Sequence, residues 1–487
     1  MIVNIEEILR ILRQHGVEQS KRDEVRHAYE LAEIIHKNQP PRETGEDYIM
    51  HPLNVALNVL NMEVYDPDTI SAALLHDTIE DSKEAAGFEY RKQDIAQSIN
   101  PTVAELVDGV TKMKDMDFSN REEKVAANTR KIINGMTKDI RIVIIKLADR
   151  LHNMSTMQKK KPEKQLENAA ETLEIFVPMA IKIGAYQAKN ALEDLSLQYL
   201  NPDVYKSIDA RRANIINHER PVLETMANKI QEELNKKGIN NKVVFRCKTI
   251  NNIYKEITNE HKKIENIYDI GYFKILVENE DDCYVALGVI HRLYTPINER
   301  FKDYFKNPRG FYQSLHTTVK DEYGDDRKIK IRTYDMDKRD AYGLIADLNK
   351  GRSMEDIQKE FREKWFDKKL QEIDATFTDN IEFVKTVKSD LLRDEIYVYG
   401  PKGGITIPKG STVLDYVCEA YSMEELNNLT SIVVNGIEVP FNQVLKNNDT
   451  IKVVCDGKLD QSDWTNSATT EKAKMMIKKM NETNNAE

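Results

Sequence analysis

From Ile5 to about Tyr199 apolar residues recur at intervals of three and four, and Gly and Pro fall mostly between the segments so formed. A pattern held that long gives each segment one apolar stripe, and stripes of that kind pack as an all-α domain, placed here at 1–200. Its helices are expected over Glu24 to His36, Pro52 to Met62, Thr69 to Thr78, Ile95 to Asp108, Arg121 to Met136, Lys138 to Asn153 and Glu163 to Ile183. After a further helix, Pro202 to Lys237, the texture changes. Lys242 to Phe245, Gly271 to Val277, Leu315 to Val319 and Lys328 to Arg332 are short β-like runs between helical segments, giving a mixed α/β domain over 201–350. Residues 351–393 read as a helical linker. Glu395 to Tyr399, Gly404 to Ile407, Ser431 to Val434 and Thr450 to Val454, punctuated by Gly403-Gly404 and Asn435-Gly436, then make a small sheet domain over 394–457. The Lys-rich stretch 458–487 reads as a helix-prone tail that frays.

Composition removes several classes of function. A net charge of −10 argues against a surface coated for DNA, and no apolar run approaches the roughly 18 residues of a membrane span. The acidic opening lacks the n-region and h-region of a signal peptide, so a cytoplasmic protein without a membrane partner is expected. Cysteines at 247, 283, 418 and 455 are too far apart for a CxxC zinc site, and buried reduced thiols are expected.

Chemistry concentrates in Leu75-His76-Asp77-Thr78-Ile79-Glu80-Asp81, where four ionisable groups occupy six positions. Placed on one helix, its three acids repel one another unless a cation sits among them; an exposed acidic helix end is the competing reading. Two other segments favour the cation. His51 opens a helix in Tyr48-Ile49-Met50-His51-Pro52, and Asp149 follows the apolar run Ile142 to Ile145, so its carboxylate either pairs with Arg150 at the surface or turns inward. His51, His76, Asp77 and Asp149 form a mixed nitrogen and oxygen shell suited to Mn²⁺, Fe²⁺ or Zn²⁺. The basic cluster Lys159 to Lys161 is a solvated helix end unless something places it beside a site.

The ordered set His51, His76-Asp77, Asp149 resembles the HD phosphohydrolase superfamily. The longer phrases Arg42…Gly45-Glu46…Tyr48-Ile49…His51-Pro52 and Lys146-Leu147-Ala148-Asp149-Arg150-Leu151-His152-Asn153-Met154 resemble the hydrolase domain of the RelA/SpoT family of alarmone enzymes. The resemblance implies an HD domain whose metal, usually Mn²⁺, activates a water against the 3′-pyrophosphate of (p)ppGpp, releasing pyrophosphate and GDP or GTP. It implies that Glu80 and Asp81 orient or deprotonate that water, and that Arg42 and Asn153 contact the nucleotide. Glu43-Thr44 stand where the family often has Lys-Ser.

In the α/β domain, Arg300-Phe301-Lys302-Asp303 and Gly310-Phe311-Tyr312-Gln313-Ser314-Leu315-His316 resemble the family's synthetase, a nucleotidyltransferase-like fold moving pyrophosphate from ATP to GDP or GTP. The resemblance implies that Tyr312 stacks on guanine, that Arg246, Lys248, Lys302 and His316 handle nucleotide and phosphates, and that Asp269 holds Mg²⁺ if the site is active. The chain departs at Lys328-Ile329-Lys330-Ile331-Arg332-Thr333, where the family's strand begins with Glu. A protonated Lys cannot ligate Mg²⁺, and beside Asp269 it would form an ion pair in the metal's place. A degenerate synthetase is therefore expected, kept as a nucleotide-sensing or scaffolding module.

Tyr397-Val398-Tyr399-Gly400-Pro401-Lys402-Gly403-Gly404-Ile405-Thr406-Ile407-Pro408 onward resembles a TGS domain, a β-grasp module. The family's TGS loop carries a His that meets tRNA. None stands between Tyr416 and Leu429, which weakens the ribosome or tRNA as a partner, and Asp463-Trp464 resembles the start of a following linker. The leading expectation is a (p)ppGpp 3′-pyrophosphohydrolase. Its competitors are a bifunctional synthetase/hydrolase, a non-catalytic nucleotide-sensing regulator, and an HD hydrolase of another phosphorylated nucleotide.

Overall fold

The computed structural model describes residues 4–111, 121–306, 311–348, 351–365, 369–390, 395–426, 429–446, 449–454 and 464–484. Gly310, Cys455 and Asp463 lie outside them. The chain forms two compact units, Met1–Thr111 with Lys138–Phe361, and Lys112–Thr137 with Arg362–Glu487.

The first unit opens with helices whose starts are written in their caps. Asn4 accepts from the Glu7 amide at 3.0 Å and starts Ile5–Gln14; Asp66 does the same for Thr69 and starts Pro67–Leu75. Ile5, Ile8, Leu9 and Leu12 form the buried stripe of the first helix. Pro67–Leu75 differs, because every residue from Thr69 to Leu75 is buried, which makes it a central helix enclosed by its neighbours.

Three expected helices are revised. Thr69 to Thr78 stops at Leu75 and a new helix, Thr78–Ala85, begins, so the ionisable heptapeptide spans a break rather than one helix. Ile95 to Asp108 divides into Lys92–Ser98 and Pro101–Val110, because Pro101 has no amide hydrogen for a continuing helix and Asn100 caps the next one through Val103 N at 2.9 Å. Glu163 to Ile183 runs as Pro162–Glu171 and Val177–Ile183, joined by a π-helical turn at Thr172–Phe176.

The long helix Pro202–Lys236 leads into a sheet of β1 (Asn241–Cys247), β2 (Gly271–Val277), β3 (Thr295–Pro296), β4 (Lys302–Asp303), β5 (Leu315–Lys320) and β6 (Asp326–Thr333). The order is β1-β2-β6-β5-β3, with β4 also on β5; β2 and β6 are parallel and the other pairs antiparallel. The two-residue strands β3 and β4 are too short to show a period. Alternation in β2 and β6 divides the sheet. Phe273, Ile275, Ile329 and Ile331 enter a core with Leu223, Ile230 and Ile290, while Tyr272, Lys274, Lys328, Lys330 and Arg332 occupy the alternate positions. The helical and sheet parts touch where Gly184 (φ +76°) meets Gly343 (φ +56°). A Cβ on Gly343 would lie 2.2 Å from the Ile183 carbonyl oxygen, so the approach needs glycine.

In the second unit, β7 (Glu395–Gly400) pairs with β8 (Gly403–Pro408), and β10 (Ile437–Val439), β9 (Ser431–Val434) and β11 (Ile451–Val454) form a second sheet in the order β10-β9-β11. Both sheets pack with Val413–Ala420, whose Leu414, Tyr416 and Val417 are fully buried. The fraying expected of 458–487 is not seen among the described residues there. Ala473, Ile477 and Met480 of Glu471–Asn484 belong to the same core, and Asp415 accepts from the amides of Thr469 and Thr470, both at 2.9 Å. Arg121–Lys138, expected in the all-α domain, lies largely in this unit. Its Arg130 pairs with Asp374 at 2.6 Å and lies 4.3 Å from the centre of the Phe383 ring. Cys283 and Cys418 are buried thiols as expected, whereas Cys247 at the end of β1 is exposed. No helix among the described residues is long and apolar enough to cross a membrane.

Candidate functional site

Four segments of the first unit converge on one buried centre. Helix Met50–Asn61 carries His51 in its first turn, and Ile140–Ser155 carries Asp149, His152 and Asn153 after its buried run. On an unbroken helix His76 and Asp77 would diverge by about 100°. The break after Leu75 removes that constraint, and His76 Nε2 lies 3.3 Å from Asp77 Oδ1. His51 Nε2 is 3.2 Å from His76 Nε2, 3.5 Å from Asp77 Oδ2 and 3.4 Å from Asp149 Oδ1, and His76 Nε2 is 3.9 Å from Asp149 Oδ1. All four expected ligands are thus brought together. Asp149 turns inward, because Arg150 goes instead to Glu171 at 2.7 Å and over the Phe176 ring.

Hydrogen bonds behind the histidines direct lone pairs to the centre. His76 Nδ1 donates to the Ala73 carbonyl at 2.8 Å, and His51 Nδ1 lies 2.7 Å from His152 Nδ1. Burial, then His51 and Arg42, push the His152 pKa down to about 3, so its neutral ring can accept that proton. Burial also lowers the pKa of His51. For Asp77 and Asp149 burial alone would raise the pKa, but His76 and His51 around Asp77, and His51 and Lys146 around Asp149, hold both carboxyls below the usual range. His51, His76 and Asp77 bring ligand atoms within 4.8 Å of one another, and Asp149 Oδ1 lies beside both histidines, a set that fits a divalent cation.

A second ring of residues fixes this set. The Tyr48 hydroxyl lies 2.8 Å from Asp77 Oδ2 and 2.8 Å from Asp81 Oδ2, and Gln39 donates to the same Asp81 oxygen at 3.1 Å. His36 stacks on Tyr48 with centroids 4.7 Å apart and reaches Gln39 Oε1 at 2.6 Å. Arg42 donates to Asn153 Oδ1 at 2.8 Å, and Asn153 donates to Asp149 at 2.5 Å. Glu80 is half-buried one position before Asp81. Beside the centre, Gln39, Arg42, Glu43, Tyr48, Thr156 and Lys160 line a cavity of about 370 Å³. Lys160 therefore belongs to a site rim, and burial, then Arg42, lower its pKa. Sequence reasoning missed Tyr48, Gln39, His36 and His152 as site residues. Tyr48 and His152 had a local signal, standing three positions before His51 and three after Asp149 in the quoted phrases.

A larger cavity, about 1120 Å³, opens on the cationic face of the mixed sheet and includes Arg246, Lys248, Asp269, Tyr312 and His316. Its charges do not match a Mg²⁺ site. Lys328 Nζ lies 2.7 Å from Asp269 Oδ2, and Lys248 holds Oδ1. Burial would raise the Asp269 pKa, but Lys328 and then Lys248 outweigh it and hold the carboxyl at about 2. A hard cation would need the oxygens these ammonium groups occupy, which is the ion pair expected of Lys328 in the metal's place. Tyr312 is likewise engaged: its hydroxyl meets His316 Nε2, and the Arg332 guanidinium lies 4.8 Å from its ring centre. Lys302 is exposed on β4 and does not line the cavity.

Comparison with known proteins identifies the domains. Residues 28–186 match the HD domain, 245–353 the region found in RelA / SpoT proteins, and 396–455 the TGS domain. The guanosine-3′,5′-bis(diphosphate) 3′-pyrophosphohydrolase of Aquifex aeolicus is 33% identical over 98% of this chain and 67% of its own length. The GTP pyrophosphokinase of Myxococcus xanthus is 34% identical over 94% of this chain and 60% of its own. The bifunctional (p)ppGpp synthase/hydrolase SpoT of Escherichia coli is 34% identical over 94% and 64%. The chain thus spans somewhat less than two thirds of the length of several relatives. Among solved structures, small alarmone synthetase 1 of Bacillus subtilis bound to its product pppGpp matches 34% of this chain and 98% of its own, at 17% identity and a TM-score of 0.25. Fold and site define an HD-domain protein that also carries a synthetase-like α/β domain and a TGS domain. The chain belongs to the RelA/SpoT family.

Proposed function

We propose that this chain is a metal-dependent (p)ppGpp 3′-pyrophosphohydrolase whose synthetase-like domain does not transfer pyrophosphate. The observation that carries the reading is the contrast between its two carboxylate sites. His51, His76, Asp77 and Asp149 offer lone pairs to a cation, whereas Asp269 is neutralised by two lysines.

The four-residue shell would hold the divalent ion, with Mn²⁺ the one the family resemblance implies; when bound, it supplies an acidified water and positive charge for the developing phosphate oxygens. Asp81, oriented by Tyr48 and Gln39, takes the proton from the attacking water. Arg42 and Lys160 line the adjacent cavity and offset the charge of the pyrophosphate as its bond to the 3′-oxygen breaks. Asn153 keeps Arg42 and Asp149 in register through its two hydrogen bonds. One water is consumed: its hydroxyl goes to the phosphorus of the departing pyrophosphate as the bond to the 3′-oxygen breaks, and the 3′-oxygen of GDP or GTP gains a proton.

A bifunctional enzyme is the second reading, favoured by the likeness to a GTP pyrophosphokinase and opposed by Lys328. We assign no tRNA contact to the TGS domain, given the absence of a His between Tyr416 and Leu429. Purified protein incubated with ppGpp and Mn²⁺ should yield GDP and pyrophosphate, lose that activity in EDTA and as Asp77→Ala, and make no ppGpp from ATP, GDP and Mg²⁺. Full hydrolysis by Asp77→Ala would refute the site, and robust synthesis would refute the division of labour.

A further inference from the structure

The sheet cavity of the α/β domain departs from a metal site in a way that defines a ligand of its own. We propose that it binds a polyphosphate chain, as carried by a nucleoside triphosphate, without a divalent metal ion, lysines standing where the ion would stand.

Its carboxylates are already engaged. Asp269 is held by Lys248 and Lys328, Asp337 by Lys274 at 2.6 Å, Asp340 by Arg332, and Glu256 by Lys248. One ammonium in the middle of the face is different. Lys330 has no carboxylate at ion-pair distance among the described residues, and its closest charge-accepting neighbour is the Tyr272 ring, whose centre lies 4.2 Å from Nζ. Strand register explains why it stands there. β5, β6 and β2 place His316, Lys330 and Lys274 in one row across the sheet, and Lys328 and Tyr272 in the next. Lys330 is half-buried and lines the cavity.

A buried ammonium without a counter-ion is unfavourable, and burial, then Lys328 and Arg332, push its pKa down to about 7. The same field acts on His316, whose pKa burial and then Lys330, Lys328, Arg332 and Lys302 lower to about 2, so the imidazole stays neutral and adds no charge of its own. An anion at Lys330 relieves this arrangement, and a chain of phosphates can run along a row of cations where a carboxylate reaches only one. Tyr186, Tyr334 and Tyr342 also line the cavity and offer aromatic surface to a base, and about 1120 Å³ is ample for a nucleotide. A metal is unnecessary for this binding because it would repeat a charge the protein already supplies.

The test is equilibrium binding of GTP to the full chain by calorimetry in EDTA and again in Mg²⁺, with inorganic tripolyphosphate as competitor. GTP should bind in EDTA with an affinity within about threefold of that in Mg²⁺, and tripolyphosphate should displace it. Lys330→Gln should weaken binding at least about tenfold, the scale of one lost charged hydrogen bond, and Lys330→Arg should restore most of it. Lys328→Glu should make binding depend on Mg²⁺. A melting curve for each variant separates lost binding from lost folding, and the Arg variant keeps the test decisive if Gln fails to fold. No binding in EDTA, undiminished binding by Lys330→Gln, or GTP that tripolyphosphate cannot displace would each overturn the proposal. None of these outcomes depends on whether the helical centre hydrolyses ppGpp.

Discussion

Replacing Tyr48 with Phe removes one oxygen and leaves the ring that stacks on His36 at 4.7 Å. That oxygen lies 2.8 Å from a carboxylate oxygen of Asp77 and 2.8 Å from one of Asp81, and its single proton serves both. Without it, a metal ligand and the proposed base face each other with nothing between their charges. A hydrogen bond to a charged group contributes about 1.5–3 kcal/mol, and at about 1.4 kcal/mol per decade the loss corresponds to roughly 10- to 150-fold. The deficit should divide between the two partners. Weaker positioning of Asp77 raises the Mn²⁺ concentration needed for half-maximal activity, and weaker positioning of Asp81 lowers kcat, while KM for ppGpp changes little because Arg42 and Lys160 are untouched. Steady-state hydrolysis of ppGpp over a Mn²⁺ titration separates the two, with a melting curve to show that the ring alone maintains the fold. Wild-type values within about twofold for both parameters would refute the assignment of Tyr48 as the residue that positions the two carboxylates.

Two further expectations concern the rest of the chain. Asp269 is 6% exposed with a pKa of about 2, against roughly 3.9 in an unfolded chain, so its ion pairs stabilise the fold by on the order of 2–3 kcal/mol above pH 4 and lose that contribution as pH falls through about 2. Lys328→Met should raise that pKa and move the loss of stability to higher pH; carbon NMR titration of the Asp side chains together with denaturant unfolding between pH 7 and 3 checks it, and a profile identical to wild type would count against the clamp. Asp415 holds the amides of Thr412, Thr469 and Thr470, so Asp415→Ala should destabilise the second unit by about 2–4 kcal/mol and expose the helix Glu471–Asn484 to amide exchange. Unchanged protection of that helix would show that its apolar contacts alone hold it.

Much of the architecture was legible because it rests on short-range patterns. Strands β2 and β9 have the bounds their sequence pattern suggested, and the long helix ends at Lys236 where Lys237 was expected. Elements without a period were missed: β3 and β4 have two residues each, and β10 has three. The four candidate ligands were readable from residue types and the order of their motifs. Their partners were not, since Tyr48 precedes Asp77 by 29 residues and His51 precedes His152 by 101. Gly184 and Gly343 carried no sequence signal either, because the need for glycine arises only where two distant backbones meet.

The sequence by itself determined the helical and sheet-bearing stretches, which follow from local periodicity, and the candidate ligand residues, which follow from side-chain chemistry; that Lys328 stands where the family has Glu came from the resemblance. Tertiary structure decided the rest. It broke the helix at His76-Asp77 so that consecutive residues could share a centre, and it turned Asp149 inward while Arg150 found Glu171. It also set β6 beside β2 in a register that closes Lys328 onto Asp269 and leaves Lys330 without a carboxylate at ion-pair distance among the described residues. The physical reason is range: periodicity acts over one turn or one strand, whereas a buried charge is settled by whichever groups the whole chain brings within a few ångströms of it.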